Sequence, residues 1–244
     1  MLKLLSVELL KIRRSLALLM MFAIPLMVIL LITVTLVKQN PAVFGPTQWR
    51  QFWTGLTGLW CYFMLPLYIA LVTGLLNGQE HKNQTWRLML TLPVSQFQLF
   101  VVKAFLAWLF VVGATAVLAG GALLAAALMV LCGLGADGAF SYPLLPVVAK
   151  VGLACLPVLA IQHALSWRYQ NLVLPLAIGV IATMGITQIG SSRDWVWYPW
   201  SYSMMAVNGS DVANQQQALL LAAAVGAVLF ALGALVLGRR DVAH

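Results

Sequence analysis

From Leu16 to Val37 the chain carries no charged side chain, and about 20 consecutive apolar residues are what a helix needs to cross a hydrocarbon core about 30 Å thick. Lipid offers no water to satisfy backbone N–H and C=O groups, so such a run must fold as a helix, which pairs them internally. Comparable runs follow at Leu56 to Leu76, Leu99 to Leu131, Leu145 to Leu165, Leu172 to Ile189 and Ala218 to Leu237. The expected fold is therefore all-α, a polytopic membrane protein with six transmembrane helices in one domain spanning residues 1–244. The third run exceeds one crossing and ends only at Gly133, Gly135 and Gly138, which fits a tilted span with a helical extension. Composition agrees: 62% of residues are hydrophobic and 8% charged, too few to cover a soluble surface. The first run is longer than a secretory signal core and lacks an Ala-x-Ala exit, so it is expected to remain as a span.

Orientation follows from the Lys and Arg residues, which concentrate on the cytoplasmic side of membrane proteins. With the amino terminus inside, ten of the fourteen fall on the inner side: Lys3, Lys11, Arg13, Arg14, Lys82, Arg87, Lys103, Arg168, Arg239 and Arg240. Lys38, Arg50, Lys150 and Arg193 remain outside. Both termini are thus expected in the cytoplasm, and the protein in the cell's inner, or cytoplasmic, membrane. Trp49, Trp53, Trp60, Trp195, Trp197 and Trp200 fall at the proposed outer ends, where amphipathic rings suit the headgroup level. The net charge of +8 fits contact with anionic lipids. The basic residues form no stripe, so no nucleic-acid partner is expected.

Four segments outside the spans stand out. In residues 1–15, Leu2, Leu5, Leu9, Ile12 and Leu16 recur at steps of three and four, the pattern of a helix lying in the membrane interface. Glu8 can pair there with Lys11 one turn on, and Lys11 and Arg14 can meet anionic headgroups. In residues 78–95 a polar stretch leads to a helix-favouring run, Trp86 to Leu92, that Pro93 ends. Ser95 and Gln98 suit a capping box opening the third span, with Lys103 placed to snorkel to the interface. The loop is longer than a plain connection requires, so Trp86, Met89 and their neighbours are candidate partner contacts. The inner turn 166–171 is a tight connection carrying one positive-inside residue, Arg168. The outer segment 190–217 holds Trp195, Trp197 and Trp200, which suit an aromatic belt. Within the last span, Ala223, Ala227 and Ala231 repeat at four residues and allow close helix approach.

A chain of this kind that moves solute needs an energy source. The spans hold no acid and only His163 near one end, whereas ion-driven carriers place carboxylates or His relays at midplane. None of the six lysines is followed by Ser or Thr, so the phosphate-binding loop of a nucleotide-binding domain is missing. Neither His-Glu-x-x-His nor Gly-x-Ser-x-Gly occurs, and no catalytic residue is assigned. Cys61, Cys132 and Cys155 show no metal-ligand spacing, so neither a metal site nor a disulfide framework is expected. ATP, if used, binds another subunit.

Glu8 to Ser15, Glu80 followed by Thr85 and then Leu92-Pro93-Val94-Ser95, Lys103, and Gly238-Arg239-Arg240-Asp241 together resemble the type-2 ABC exporter permeases, with Gln96 a departure where many members carry Arg. The resemblance implies that residues 1–15 are an elbow helix with Glu8, Lys11 and Arg14. It implies a coupling helix within 78–95, where Glu80, Thr85, Trp86, Arg87, Met89 and Pro93 meet the ATPase, with Arg168 nearby and available to a carboxylate or phosphate, and an outer gate in the segment of Trp195, Trp197 and Trp200. Two cytoplasmic ABC ATPase subunits holding ATP and Mg, and a second six-span permease, identical or homologous, are the implied partners besides membrane lipids. The implied activity is export of an amphipathic or hydrophobic cargo: a peptide antibiotic, lipid or drug. Among such permeases, those that protect producers against lantibiotic-type peptides are similarly compact. The alternative is a membrane anchor or assembly subunit that recruits a cytoplasmic partner and transports nothing.

Overall fold

The computed structural model describes residues 2–12, 15–39, 44–82, 95–169, 171–190 and 192–237, and among these every regular element is helical. A short α1 (Leu2–Ile12) precedes α2 (Leu16–Gln39). Helix α3 (Pro46–Leu59) passes through one π turn, Trp60–Met64, into α4 (Leu65–Lys82). There follow α5 (Gln96–Leu131), α6 (Leu144–Ala154), α7 (Leu156–Arg168) and α8 (Val173–Ile189). Two short 3-10 turns, Arg193–Trp197 and Pro199–Ser201, lead into α9 (Tyr202–Asn208) and the long α10 (Val212–Leu237).

Four helical runs are each long and apolar enough to cross a membrane: Leu16–Lys38, Pro46–Gly78, Gln96–Leu131 and Val212–Val236. The segment expected as one span at Leu145 to Leu165 is a pair, α6 and α7, bent by 46°. Counted as one, the pair brings the crossings to five. The bend has a covalent cause, because Pro157 in the first turn of α7 has no N–H to give the preceding turn. Helix α8, at 17 residues, is shorter than the other spans. Helix α5 runs 36 residues without a break, roughly 54 Å at 1.5 Å per residue. Ser95 opens it by accepting the Gln98 N–H at 3.2 Å, the capping bond expected there. Beyond its end Gly133 and Gly138 take φ of +96° and +85°, a left-handed backbone that a side chain disfavours.

Lipid tails are as apolar as leucine, so burial alone does not hold such helices together, and small residues and polar bonds do much of it. On α10 the packed stripe is Ala218, Ala222 and Gly226, with a Cβ at Gly226 falling 2.7 Å from Leu156 of α7. This corrects the expected stripe: Ala227 and Ala231 lie exposed. The tryptophans also depart from expectation. Trp49, Trp53 and Trp60 are wholly buried rather than ringed around the headgroups. Their indole N–H groups donate to Gly135 O at 2.7 Å, Ala139 O at 3.1 Å and Thr115 Oγ1 at 3.2 Å. They stitch α3 and the π turn to α5 and the loop after it, satisfying donors that lipid would leave unpaired.

Candidate functional site

One end of the bundle gathers α1, the last turns of α4, the first turns of α5, and the end of α7. Lys103 on α5 was expected to snorkel, yet it is 2% exposed. It donates to Leu76 O on α4 at 2.9 Å and lies 2.9 Å from Glu8 Oε2 on α1. Glu8 is also 2% exposed, and its other oxygen accepts from Lys11 Nζ at 2.8 Å, the one-turn pair read from the sequence. The pull of a buried ammonium explains why α1 turns Leu4, Glu8 and Ile12 toward the protein while Leu9 and Leu10 face outward. Lipid cannot solvate either charge, so each is held by the other. Three helices are thereby tied at the point where α4 leaves for residues 83–94 and α5 returns from them.

A second polar cluster lies beside this knot. Asn77, one residue beyond Leu76, points its Nδ2 at His163 Nδ1 (3.1 Å) and Ser166 Oγ (2.7 Å) on α7. His163 Nε2 faces Phe100 O on α5 at 3.1 Å. A carbonyl can only accept, so the ring carries its proton on Nε2 and Nδ1 accepts from Asn77. Phe100 packs on His163 and Trp167 at centroid distances of 4.5 and 5.2 Å. Leu4 of α1 and Ala234 of α10 complete that apolar cluster, so the first and last described helices meet the same end. Deeper in the bundle, Gln162 is 0% exposed between Ala70 and Gly179, and neither atom of its amide has a partner among the described residues.

The expected contact residues fall unevenly on this frame. Thr85, Trp86, Arg87, Met89, Pro93 and Arg14 lie outside the described residues, as does the side chain of Glu80, whose backbone belongs to the end of α4. Arg168 sits exposed in the last turn of α7, where a cation complements the helix dipole. Glu8 and Lys11 are brought together. Sequence reasoning missed Asn77, Ser166 and the pairing of Glu8 with Lys103. Polar residues within apolar runs were the available signal.

At the opposite end, the three tryptophans of the outer segment separate into different roles. Trp195 is buried against Tyr202, edge-on at 6.3 Å, among Ala154, Ala206, Ala218 and Ala222. Trp200 is buried in the main core beside Tyr198, whose hydroxyl donates to Ala182 O. Trp197 is 84% exposed. Near them a cleft of about 800 Å³ opens along α3, bounded by Arg50, Thr54, Gly58, Tyr62, Tyr142 and Asn208. Thr57 beneath it donates to Asn208 Oδ1 at 3.1 Å, and Tyr142 stacks on Trp53 with 7° between the rings. Among the described residues no group of three or more His, Cys, Asp or Glu side chains is placed to hold a metal.

Comparison with curated proteins and with solved structures gives no match. The family model described as "ABC-2 family transporter protein" matches residues 4–186, three quarters of the chain, from α1 to nearly the end of α8. Members of this family form the membrane-embedded permease side of ABC transporters and generally work with ABC ATPase subunits. With its apolar spanning helices and the polar knot at one end, the chain belongs to the ABC-2 transporter family, on the permease side and not the nucleotide-binding side.

Proposed function

We propose that the protein is the permease of an ATP-driven exporter, energised through residues 78–95. The observation that carries this reading is the buried knot of Glu8, Lys103 and the Leu76 carbonyl. A push on a slack loop is absorbed by the loop. A push on a loop whose two feet are tied to each other, and to an interfacial helix, moves α1, α4 and α5 together. The Asn77 bonds extend the same frame to α7, which ends in the exposed Arg168.

The excess of Lys and Arg supports a cytoplasmic position for the knot end, with both termini there and six crossings, α6 and α7 forming one bent span and α8 a short one. The membrane is the cytoplasmic membrane. Two ABC ATPases, each holding ATP and Mg, dock at 78–95, where Glu80, Thr85, Trp86, Arg87, Met89 and Pro93 form the contact. Six helices make one wall of a pathway, so a second permease, identical or homologous, makes the other. ATP-driven closure of the ATPases rocks the two walls and releases a hydrophobic or amphipathic cargo on the far side, past the segment holding Trp195, Trp197 and Trp200.

A pulldown of the tagged full chain under gentle detergent, read by mass spectrometry, tests this reading. An ATPase with a Walker motif and a six-span partner are the expected companions, and a double variant with Trp86→Asp and Met89→Asp should lose the ATPase. Recovery of the chain with no ATPase would favour the anchor reading. Equal ATPase recovery with the double variant would remove the coupling role from these two residues.

A further inference from the structure

We propose that the cleft along α3 is a binding site for a single-chain amphiphile with an anionic head. Arg50, Thr54 and Gly58 are spaced four residues apart and so share one stripe of the helix. The cleft follows this stripe from a charged mouth to an apolar depth. Arg50 and Thr54 are exposed at the mouth, and Arg50 meets no carboxylate among the described residues. Leu59, Met204 and Val207, less exposed than Arg50 and Thr54, form the apolar wall. Among the described residues no acidic side chain lines the cleft, which sets the sign of the head it accepts. Its donors are the Arg50 guanidinium, the phenols of Tyr62 and Tyr142, and Asn208, whose Nδ2 has no partner among the described residues. Guanidinium and hydroxyl donors suit a phosphate or carboxylate.

Two further features support a built site. The helix is interrupted by a π turn at Trp60–Met64, and Leu59 and Tyr62, at the cleft's inner end, flank and belong to that turn. Such turns recur at functional sites because they reposition side chains that an α-helix would place elsewhere. Gly58 opens the floor: a Cβ added there meets nothing within 4 Å. The space of about 800 Å³ lies within the range of small-molecule sites, about 300–1,000 Å³. The amphiphile is a cargo only if the permease reading holds, while its binding stands on the cleft alone.

The test uses the full chain in phosphatidylcholine nanodiscs and two photoreactive probes, lysophosphatidic acid and lysophosphatidylcholine, each with a diazirine in the tail. They differ in head charge and share the tail. Saturable labelling by the anionic probe is expected on peptides containing Leu59 and Tyr62 or Met204 and Val207. Arg50→Gln should weaken that labelling about tenfold or more, since a hydrogen bond to a charged group is lost, without changing the weaker zwitterionic labelling. Gly58→Leu should suppress both, with the unfolding temperature retained because the site is open. Equal labelling by both probes, or labelling indifferent to Gly58→Leu, would overturn the proposal. Recovery of an ATPase in the pulldown alongside absent cleft labelling would sink the cleft and leave the permease reading intact. Cleft labelling without an ATPase would do the reverse.

Discussion

Changing Glu8 to Gln takes away the carboxylate that lies 2.9 Å from the buried Lys103 ammonium and leaves the Leu76 carbonyl in place. Removing one partner of a buried ion pair costs about 3–5 kcal/mol, because the remaining charge loses that counterion while still out of water. At about 2–4 °C per kcal/mol for a chain of this size, the unfolding temperature of the full chain in detergent should fall by roughly 6–20 °C. Lys103→Met should cost less, about 1–3 kcal/mol, because Glu8 keeps Lys11 at its second oxygen. The double variant with Glu8→Leu and Lys103→Met removes both charges and restores apolar contact, so its cost should lie within about 1 kcal/mol of wild type. A thermal-unfolding mutant cycle measures all three. A loss below about 1 kcal/mol for Glu8→Gln, or a double variant whose cost equals the sum of the singles, would refute the knot as a coupled pair.

Other expectations use contacts at single positions. Gln162→Leu should stabilise the protein by about 1–3 kcal/mol, since it replaces an unpaired buried amide; a loss of stability would show that the amide is satisfied. Gly179→Ala should destabilise by about 1–3 kcal/mol, because its Cβ falls 2.7 Å from that of Ala70, whereas Gly58→Ala should be neutral or gain up to about 1 kcal/mol. Trp53→Phe should cost about 1–3 kcal/mol by orphaning Ala139 O, and the exposed Trp197→Phe should stay within about 0.5 kcal/mol of wild type. Cys132 is exposed while Cys61 and Cys155 are buried, so a membrane-impermeant maleimide added to intact cells should label Cys132 alone. Labelling only after lysis would invert the proposed orientation.

Much of the helical frame was legible because apolar runs and their stops are local. Leu16 to Val37 reappears as α2, Ser95 caps α5, and Gly133 follows its end. The bend at α6 and α7 was open to the same reasoning through Pro157, but an apolar run conceals how its two halves are aimed. What sequence reasoning could not supply was pairing across distance. Glu8 and Lys103 each looked like an interfacial charge, and only the docking of α1 onto α5 brings them together. Trp49 and Trp53 suited a headgroup belt by composition, whereas their place was decided by carbonyls 86 residues further along the chain. The cleft escaped notice for the same reason: Arg50, Tyr142 and Asn208 come from three separate segments.

The central claim is that residues 78–95 meet an ATPase, and a cross-link tests it most directly. With Cys132 replaced by Ser, a cysteine placed at Trp86 and a short bismaleimide added to inside-out vesicles should join this 26.5 kDa chain to a Walker-motif ATPase. A link only to other membrane chains, or none while a maleimide dye still labels position 86, would contradict the account.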